Sequence, residues 1–179
     1  METFKTAEVE LKIERLTDVT MPNKAHATDA GIDFYIPNDL NYVVKNGKGI
    51  EIGLFTYTLE PTGDTISSTA IEIKPHKSCL IPMGIKTSFS SKYALVFFNR
   101  SGVATKKHLL RGACIVDSGY RGQLYVNLNN VSDESQYLLP GEKLIQALLL
   151  PVPEVNIVEE KITDETDRGA GGFGSSDKK

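Results

Sequence analysis

Gln123-Leu124-Tyr125-Val126-Asn127-Leu128-Asn129 alternates polar and apolar side chains, with only Tyr125 amphipathic. Successive side chains of a strand point to opposite faces, so the run reads as a half-buried β-strand. Working outward, Glu8-Val9-Glu10-Leu11-Lys12-Ile13-Glu14 repeats the pattern, and Thr69-Ala70-Ile71-Glu72-Ile73-Lys74 ends at Pro75. A proline there fits a strand terminus, because it cannot donate to a ladder. Tyr93 to Phe98 and Leu144 to Leu150 are nearly unbroken apolar runs. Either suits a core strand, and period alone leaves a buried helix open for each. Helical signals are scarce. The best is Ser101 through Leu109, with Ser101 placed as a cap. Many short strands punctuated by Gly, Pro and Asn, with no βαβ rhythm and no internal repeat, point to an all-β sandwich or barrel.

The chain has 179 residues, 40% hydrophobic and 24% charged, which suits one soluble domain with appendages and excludes wholesale disorder. A net charge of −3 gives no concentrated basic face, so nucleic acid is not an expected partner. No apolar stretch reaches bilayer length, so neither is a membrane. Acids interleave from Glu2 onward without an apolar h-region, so no signal peptide is expected and the protein is read as cytoplasmic. Two cysteines, Cys79 and Cys114, are too few for a disulfide framework, and the scattered His26, His76 and His108 argue against a zinc cage. The organisation expected is a body over 1–158 and a polar arm over 159–179. An inserted segment at about 41–68 reads as a hairpin excursion.

Several stretches carry chemistry. Gly169-Ala170-Gly171-Gly172-Phe173-Gly174 satisfies G-x-G-x-x-G, but a dinucleotide fingerprint must open a helix, and five residues follow Gly174. A glycine-rich flap can instead wrap phosphates with its amides while Phe173 stacks on a base. Asn99-Arg100-Ser101-Gly102 puts a forked guanidinium and a helix start after an apolar run. That combination suits phosphate, or simply a capped helix with a surface arginine. Asp117, in Ile115-Val116-Asp117-Ser118-Gly119-Tyr120-Arg121-Gly122, is either a turn acid bonding its own backbone or a base that orients water. Asp33, in Ala30-Gly31-Ile32-Asp33-Phe34, faces the same choice between turn chemistry and function. Gln146 is polar inside an apolar run, so it must bond protein or ligand.

Taken in order, AGIDF at 30–34, RSG at 100–102, IVDSGYRG at 115–122, GEKLIQ at 141–146 and RGAGGFGSS at 168–176 resemble the five motifs of the trimeric deoxyuridine triphosphatases (dUTPases). Ile73 to Ile85 resembles the family's strands before the second motif, and 41–68 has no counterpart. The resemblance implies an all-β, jelly-roll-like β-barrel of β-clip type, with one short helix and a glycine-rich C-terminal arm. It implies a homotrimer whose sites combine motifs from different subunits. The implied reaction is hydrolysis of dUTP to dUMP and pyrophosphate with Mg2+, which limits dUTP and supplies dUMP for dTMP synthesis. Residue by residue, Asp117 would hold the attacking water, and Asp33 would hold magnesium through water. Arg100, Ser101, Gly102 and Gln146 would contact phosphates, with Ser101 near the α–β bridge. Backbone around Cys114, Ile115 and Val116 would read uracil, Tyr120 would lie under deoxyribose, and Tyr125 would also line the substrate. Arg168 would clamp the γ-phosphate and Phe173 would stack on uracil, with Gly174, Ser175 and Ser176 beside them. Departures from the family pattern are Cys114 where glycine is common, His108 and Leu109 where glycine or another small residue is common, Asn99 where proline or glycine is usual, and Ser176 for threonine.

Two alternatives remain. A dCTP deaminase-type or bifunctional member of the superfamily would need an acid to shuttle protons at the base, and 111–117 offers only Asp117. A dual-role dUTPase would bind a regulatory protein through 41–68, against the plainer reading of a stabilising hairpin.

Overall fold

The computed structural model describes residues 9–58, 62–162, 166–167 and 169–171. The chain runs β1 (Lys12–Arg15), β2 (Ile32–Tyr35), α1 (Leu40–Asn46), β3 (Glu51–Thr58), β4 (Thr65–Ile73), β5 (Ser78–Pro82) and β6 (Ile85–Ser88). It continues with β7 (Tyr93–Asn99), α2 (Ser101–Lys106), β8 (Leu109–Arg111), β9 (Ile115–Val116), β10 (Tyr125–Asn130), β11 (Gln136–Leu138) and β12 (Lys143–Pro151). Four antiparallel sheets result, in the orders β2-β12-β7-β9, β5-β10-β8, β11-β4-β3 and β1-β6. The all-β expectation holds. Among the described residues the ladders do not close into one hydrogen-bonded ring; they wrap a shared core.

The alternating run at 123–129 supplies β10, which turns Val126, Leu128 and Asn130 inward. Asn130 is buried but satisfied, since its amide donates to Ile73 O at 2.8 Å and Glu134 O at 2.7 Å. The two apolar runs become the central strands β7 and β12, paired from Ile145–Asn99 to Pro151–Tyr93. One face of each is buried in the core and most of the other is half-buried, so both rows of side chains are mainly apolar. Phe34 of β2 and Phe97 of β7 meet edge to face at 5.3 Å in that core. Such a pair adds about 0.5–1.5 kcal/mol to the burial itself.

Two expectations about helices fail. The chain has two short helices among the described residues, not one, because the insertion opens with α1. Asp39 caps it, its carboxylate accepting from the Asn41 and Tyr42 amides at 2.9 and 3.2 Å. Only Val43 is fully buried, so no apolar stripe at helical spacing announced it. The β3–β4 hairpin then follows as expected, in register from Glu51–Glu72 to Thr58–Thr65. Nor does Ser101 cap α2. Arg100 holds the N-cap position without a side-chain cap bond, and Ser101 is the first helical residue. The helix stops at Lys106, short of Leu109, and His108 then takes φ of +48°. That left-handed conformation favours glycine, and histidine adopts it here at some cost. No helix among the described residues is long and apolar enough to cross a membrane.

Candidate active site

Three adjacent strands assemble the site. Gln146 of β12 sits opposite Asp33 of β2 on one side and Phe98 of β7 on the other. Lys143 and Gln146 lie three residues apart, a spacing that strict alternation would send to opposite faces. The register shift between Lys143 and Ile145 brings both toward Asp33. Asp33 is nearly buried and accepts from two cations. Its Oδ1 lies 2.9 Å from Arg100 Nε and its Oδ2 2.7 Å from Lys143 Nζ. The bond to Asp33 raises the Lys143 pKa. Arg100 Nη1 also donates to Lys143 O at 3.3 Å, closing the cluster. One carboxylate facing two cations leaves a net positive charge, which suits a polyanion.

A cleft of about 530 Å3 opens over this cluster, bounded by Ala25, His26, Asp29, Ala30 and Gly31 on one segment and Asn99, Arg100 and Ser101 on another. The first-turn amides of α2 have no intrahelical acceptors, so Ser101 and Gly102 offer N–H donors beside the Ser101 hydroxyl. Gln146 Nε2 donates to Asn99 O at 2.9 Å, which answers how the polar residue in an apolar strand is satisfied. Gly31 leaves room for this side-chain position, since a Cβ there would lie 2.6 Å from Gln146 Oε1 and push it aside. Asn99 Oδ1 accepts from the Arg111 amide at 3.0 Å. The unusual asparagine before Arg100 therefore ties the end of β7 to β8.

Asp117 and its neighbours lie elsewhere. β9 and β2 are the two outer strands of the four-stranded sheet. At about 4.8 Å per strand, three steps separate them by roughly 14 Å. Asp117 is exposed on the turn after β9, where its carbonyl accepts from the Tyr120 amide at 3.0 Å. Tyr120 is 44% exposed and donates its hydroxyl to Gln123 O at 2.8 Å. The Cys114 side chain packs against the core, while its carbonyl accepts from the Phe97 amide at 2.8 Å. Since antiparallel pairs alternate, Ile115 opposite Val96 turns its own N–H and C=O away from β7, toward an open edge. Tyr125 is half-buried at the start of β10. Arg168, Phe173, Gly174, Ser175 and Ser176 lie outside the described residues.

Reading the sequence missed Lys143, whose only signal was a lysine at the mouth of an apolar strand, and the pair His26 and Asp29. It also missed Tyr42 of α1, whose hydroxyl donates to Gln123 Oε1 beside the Asp117 turn. As for metal, no group of three His, Cys, Asp or Glu side chains converges among the described residues. Both Asp33 oxygens are already ion-paired. The donor set fits a hard cation held mainly by phosphate and water, not a protein cage.

A cleft that offers a guanidinium, a hydroxyl, a side-chain amide and free helix-start N–H groups on an antiparallel β-fold is a phosphate-binding site of the nucleotide-hydrolase kind. Comparison with known proteins makes this specific. The dUTPase family model matches residues 63–177. The deoxyuridine 5'-triphosphate nucleotidohydrolase of Klebsiella pneumoniae (strain 342) is 38% identical over 115 residues, 62% of this chain and 74% of that one. Its namesake in Caulobacter vibrioides (strain NA1000 / CB15N) is 35% identical over 108 residues, 59% of this chain and 70% of that one. Among solved structures, the Staphylococcus bacteriophage 80alpha dUTPase with dUPNHPP superposes with a TM-score of 0.65 at 23% identity, covering 93% of this chain and 97% of that one. The dUTPase from phage phi11 of S. aureus gives 0.60 at 22%, covering 85% and 97%. The chain belongs to the dUTPase family. The family match starts downstream of Asp33, yet the fold brings Asp33 against Arg100 and beside Gln146.

Proposed function

We propose that this dUTP diphosphatase divides each active site between subunits of a homotrimer. One subunit's Asp33–Arg100–Ser101–Gln146 cleft holds the triphosphate, and a neighbouring subunit brings Asp117 and the uracil-reading edge. The observation that carries this reading is the placement of β2 and β9 at opposite edges of one sheet. The reaction is hydrolysis of dUTP to dUMP and pyrophosphate. Asp117 orients a water for in-line attack on the α-phosphorus, accepting its proton, and pyrophosphate leaves. Positioning and charge neutralisation carry most of such a reaction. Arg100, Gln146, the Ser101 hydroxyl and the Gly102 amide hold the phosphates and the charge that grows on the leaving group. Mg2+ bound with the triphosphate supplies further charge neutralisation, and Asp33 would reach it only through water.

The outward N–H and C=O of Ile115, with the backbone of Cys114 and Val116, offer one donor and one acceptor to a pyrimidine edge. Cytosine presents the wrong complement, and a mismatched buried polar pair discriminates strongly. Tyr120 and Tyr125 flank the sugar. Arg168, Phe173, Gly174, Ser175 and Ser176 would close over the nucleotide as a lid. A regulatory partner for the insertion is supported by its exposed apolar side chains Ile52, Leu54 and Ile66. Retention of that partner by a chain lacking 41–68 would exclude the role.

Pyrophosphate release measured against dUTP, dCTP, dTTP and UTP tests the activity. Strong preference for dUTP is expected. Comparable turnover of dCTP, or ammonia release from it, overturns the reading.

A further inference from the structure

One wall of the phosphate cleft carries a pair of titratable groups with no part in the steps above. Asp29 Oδ2 accepts from the His26 amide at 2.9 Å and lies 3.3 Å from His26 Nδ1. The Asp29 amide donates back to His26 O at 3.0 Å. These contacts close a tight loop in which one carboxylate orients the imidazole through Nδ1. Nε2 is then the ring's remaining polar atom, and no described residue bonds it. Both residues line the same cleft as Asp33, Arg100, Ser101 and Gln146, but they reach it from a different segment of chain. The His26 side chain is 81% exposed, so it has room to turn onto a ligand and little packing to lose.

We propose that His26 is a further substrate-contacting residue, donating from Nε2 to a terminal phosphate of the bound triphosphate, with Asp29 as its positioning residue. This rests on reading the cleft as the triphosphate site. The charged groups around the ring are Asp29 on its own loop, Asp33 on β2 and Arg100 at the end of β7. Lys24 acts on Asp29, and Lys143 is taken up by Asp33. The His26 amide holds the Asp29 carboxyl below its ordinary range, so Asp29 is ionised and accepts from the imidazole. An ionised partner and an incoming polyanion both favour the imidazolium. Arg100 opposes them but is itself paired with Asp33.

The contact needs a proton on Nε2 while Asp29 holds Nδ1, which is the imidazolium form. The test measures affinity of a non-hydrolysable α,β-imido analogue of dUTP, and of dUMP, for wild type, His26→Gln and Asp29→Asn. The analogue's own titration is common to all three proteins and cancels in their ratios. Below about pH 6 the wild type should bind the analogue about two- to fivefold tighter than His26→Gln, the range for an exposed ion pair. The ratio should fall to unity by about pH 8. Asp29→Asn should move that fall to lower pH. Affinity for dUMP, which lacks the terminal phosphates, should match at every pH. A flat ratio of one, or equal weakening toward dUMP, overturns the role of His26. Failure of every variant and the wild type to bind the analogue overturns the triphosphate reading beneath it.

Discussion

If each site takes its cleft from one subunit and its base from another, two crippled variants can repair one another. Arg100→Ala removes the guanidinium from the cleft and leaves Asp33 still paired with Lys143 at 2.7 Å. The Arg100–Asp33 pair is partly exposed, with side-chain accessibilities of 31% and 11%, so its loss should cost about 1 kcal/mol and spare the fold. Lost charge-assisted phosphate contacts of about 1.5–3 kcal/mol should slow turnover by roughly tenfold to a hundredfold. Asp117→Asn should lower turnover by about 10²–10⁴-fold. When the two are unfolded together in equal amounts and reassembled, half the clefts carry Arg100 and half the neighbours supply Asp117. About a quarter of the sites are then intact, and activity should return to about a quarter of wild type. A site built within one chain could recover nothing, because every chain carries one lesion. Pyrophosphate release reads the result, with light scattering to confirm particles of three 19.6 kDa chains. Mixed trimers showing only the parental residue of activity would refute the divided site, and the distance argument across the sheet with it.

Gly31→Ala places a Cβ 2.6 Å from Gln146 Oε1 and should displace that side chain, lowering kcat/KM about tenfold with little change in melting; unchanged kinetics would remove Gln146 from the phosphate site. Cys79 is buried and its thiol is pushed up to about 12 from 9.0, so at pH 8 a thiol reagent should label Cys114 well before Cys79. The same shift sets a sign: the unfolded thiol ionises first, so stability is full below pH 9.0 and falls as pH rises toward 12, by roughly 4 kcal/mol at most. A Cys79→Ala variant with an unaltered alkaline unfolding profile would contradict it. Truncation before Arg168 should leave the body folded and, with half of the lost phosphate contact and base stack felt in the transition state, slow turnover by about one to two decades; full activity would make the arm a linker.

Strands were legible where side chains alternate or run apolar, because a pleated surface with one buried face writes its period into the chain. β10, β7 and β12 lie within two residues of where the patterns put them. α1 was not legible. A seven-residue helix that buries Val43 alone leaves no stripe, and its evidence is a single capping aspartate among turn residues. The same limit governs the site. Asp33, Arg100 and Gln146 were nameable one at a time, but their meeting depends on strand order and on a bulge, which no local pattern encodes. Lys143 went unnoticed for that reason: ordinary alternation would send it away from the face that Gln146 occupies.

The departures from the family pattern gain a physical sense once the contacts are drawn. Asn99 supplies an acceptor that proline or glycine lacks, and it spends it on the Arg111 amide at 3.0 Å. Its carbonyl meanwhile holds Gln146. One residue thus joins β12 to β8, the strand just before β9 and the Asp117 turn. Tyr42 acts on the same turn from the other side, through Gln123 Oε1, while Tyr120 takes Gln123 O. The insertion is therefore not an appendage hung clear of the chemistry. Its helix α1 is bonded to the segment that carries Asp117 and Tyr120. Any force that tilts α1 would be felt at that turn, because a hydrogen bond weakens steeply as its partners part or lose alignment. A family motif read alone would place the reactive groups and miss this brace, which belongs to the stretch the family pattern does not cover.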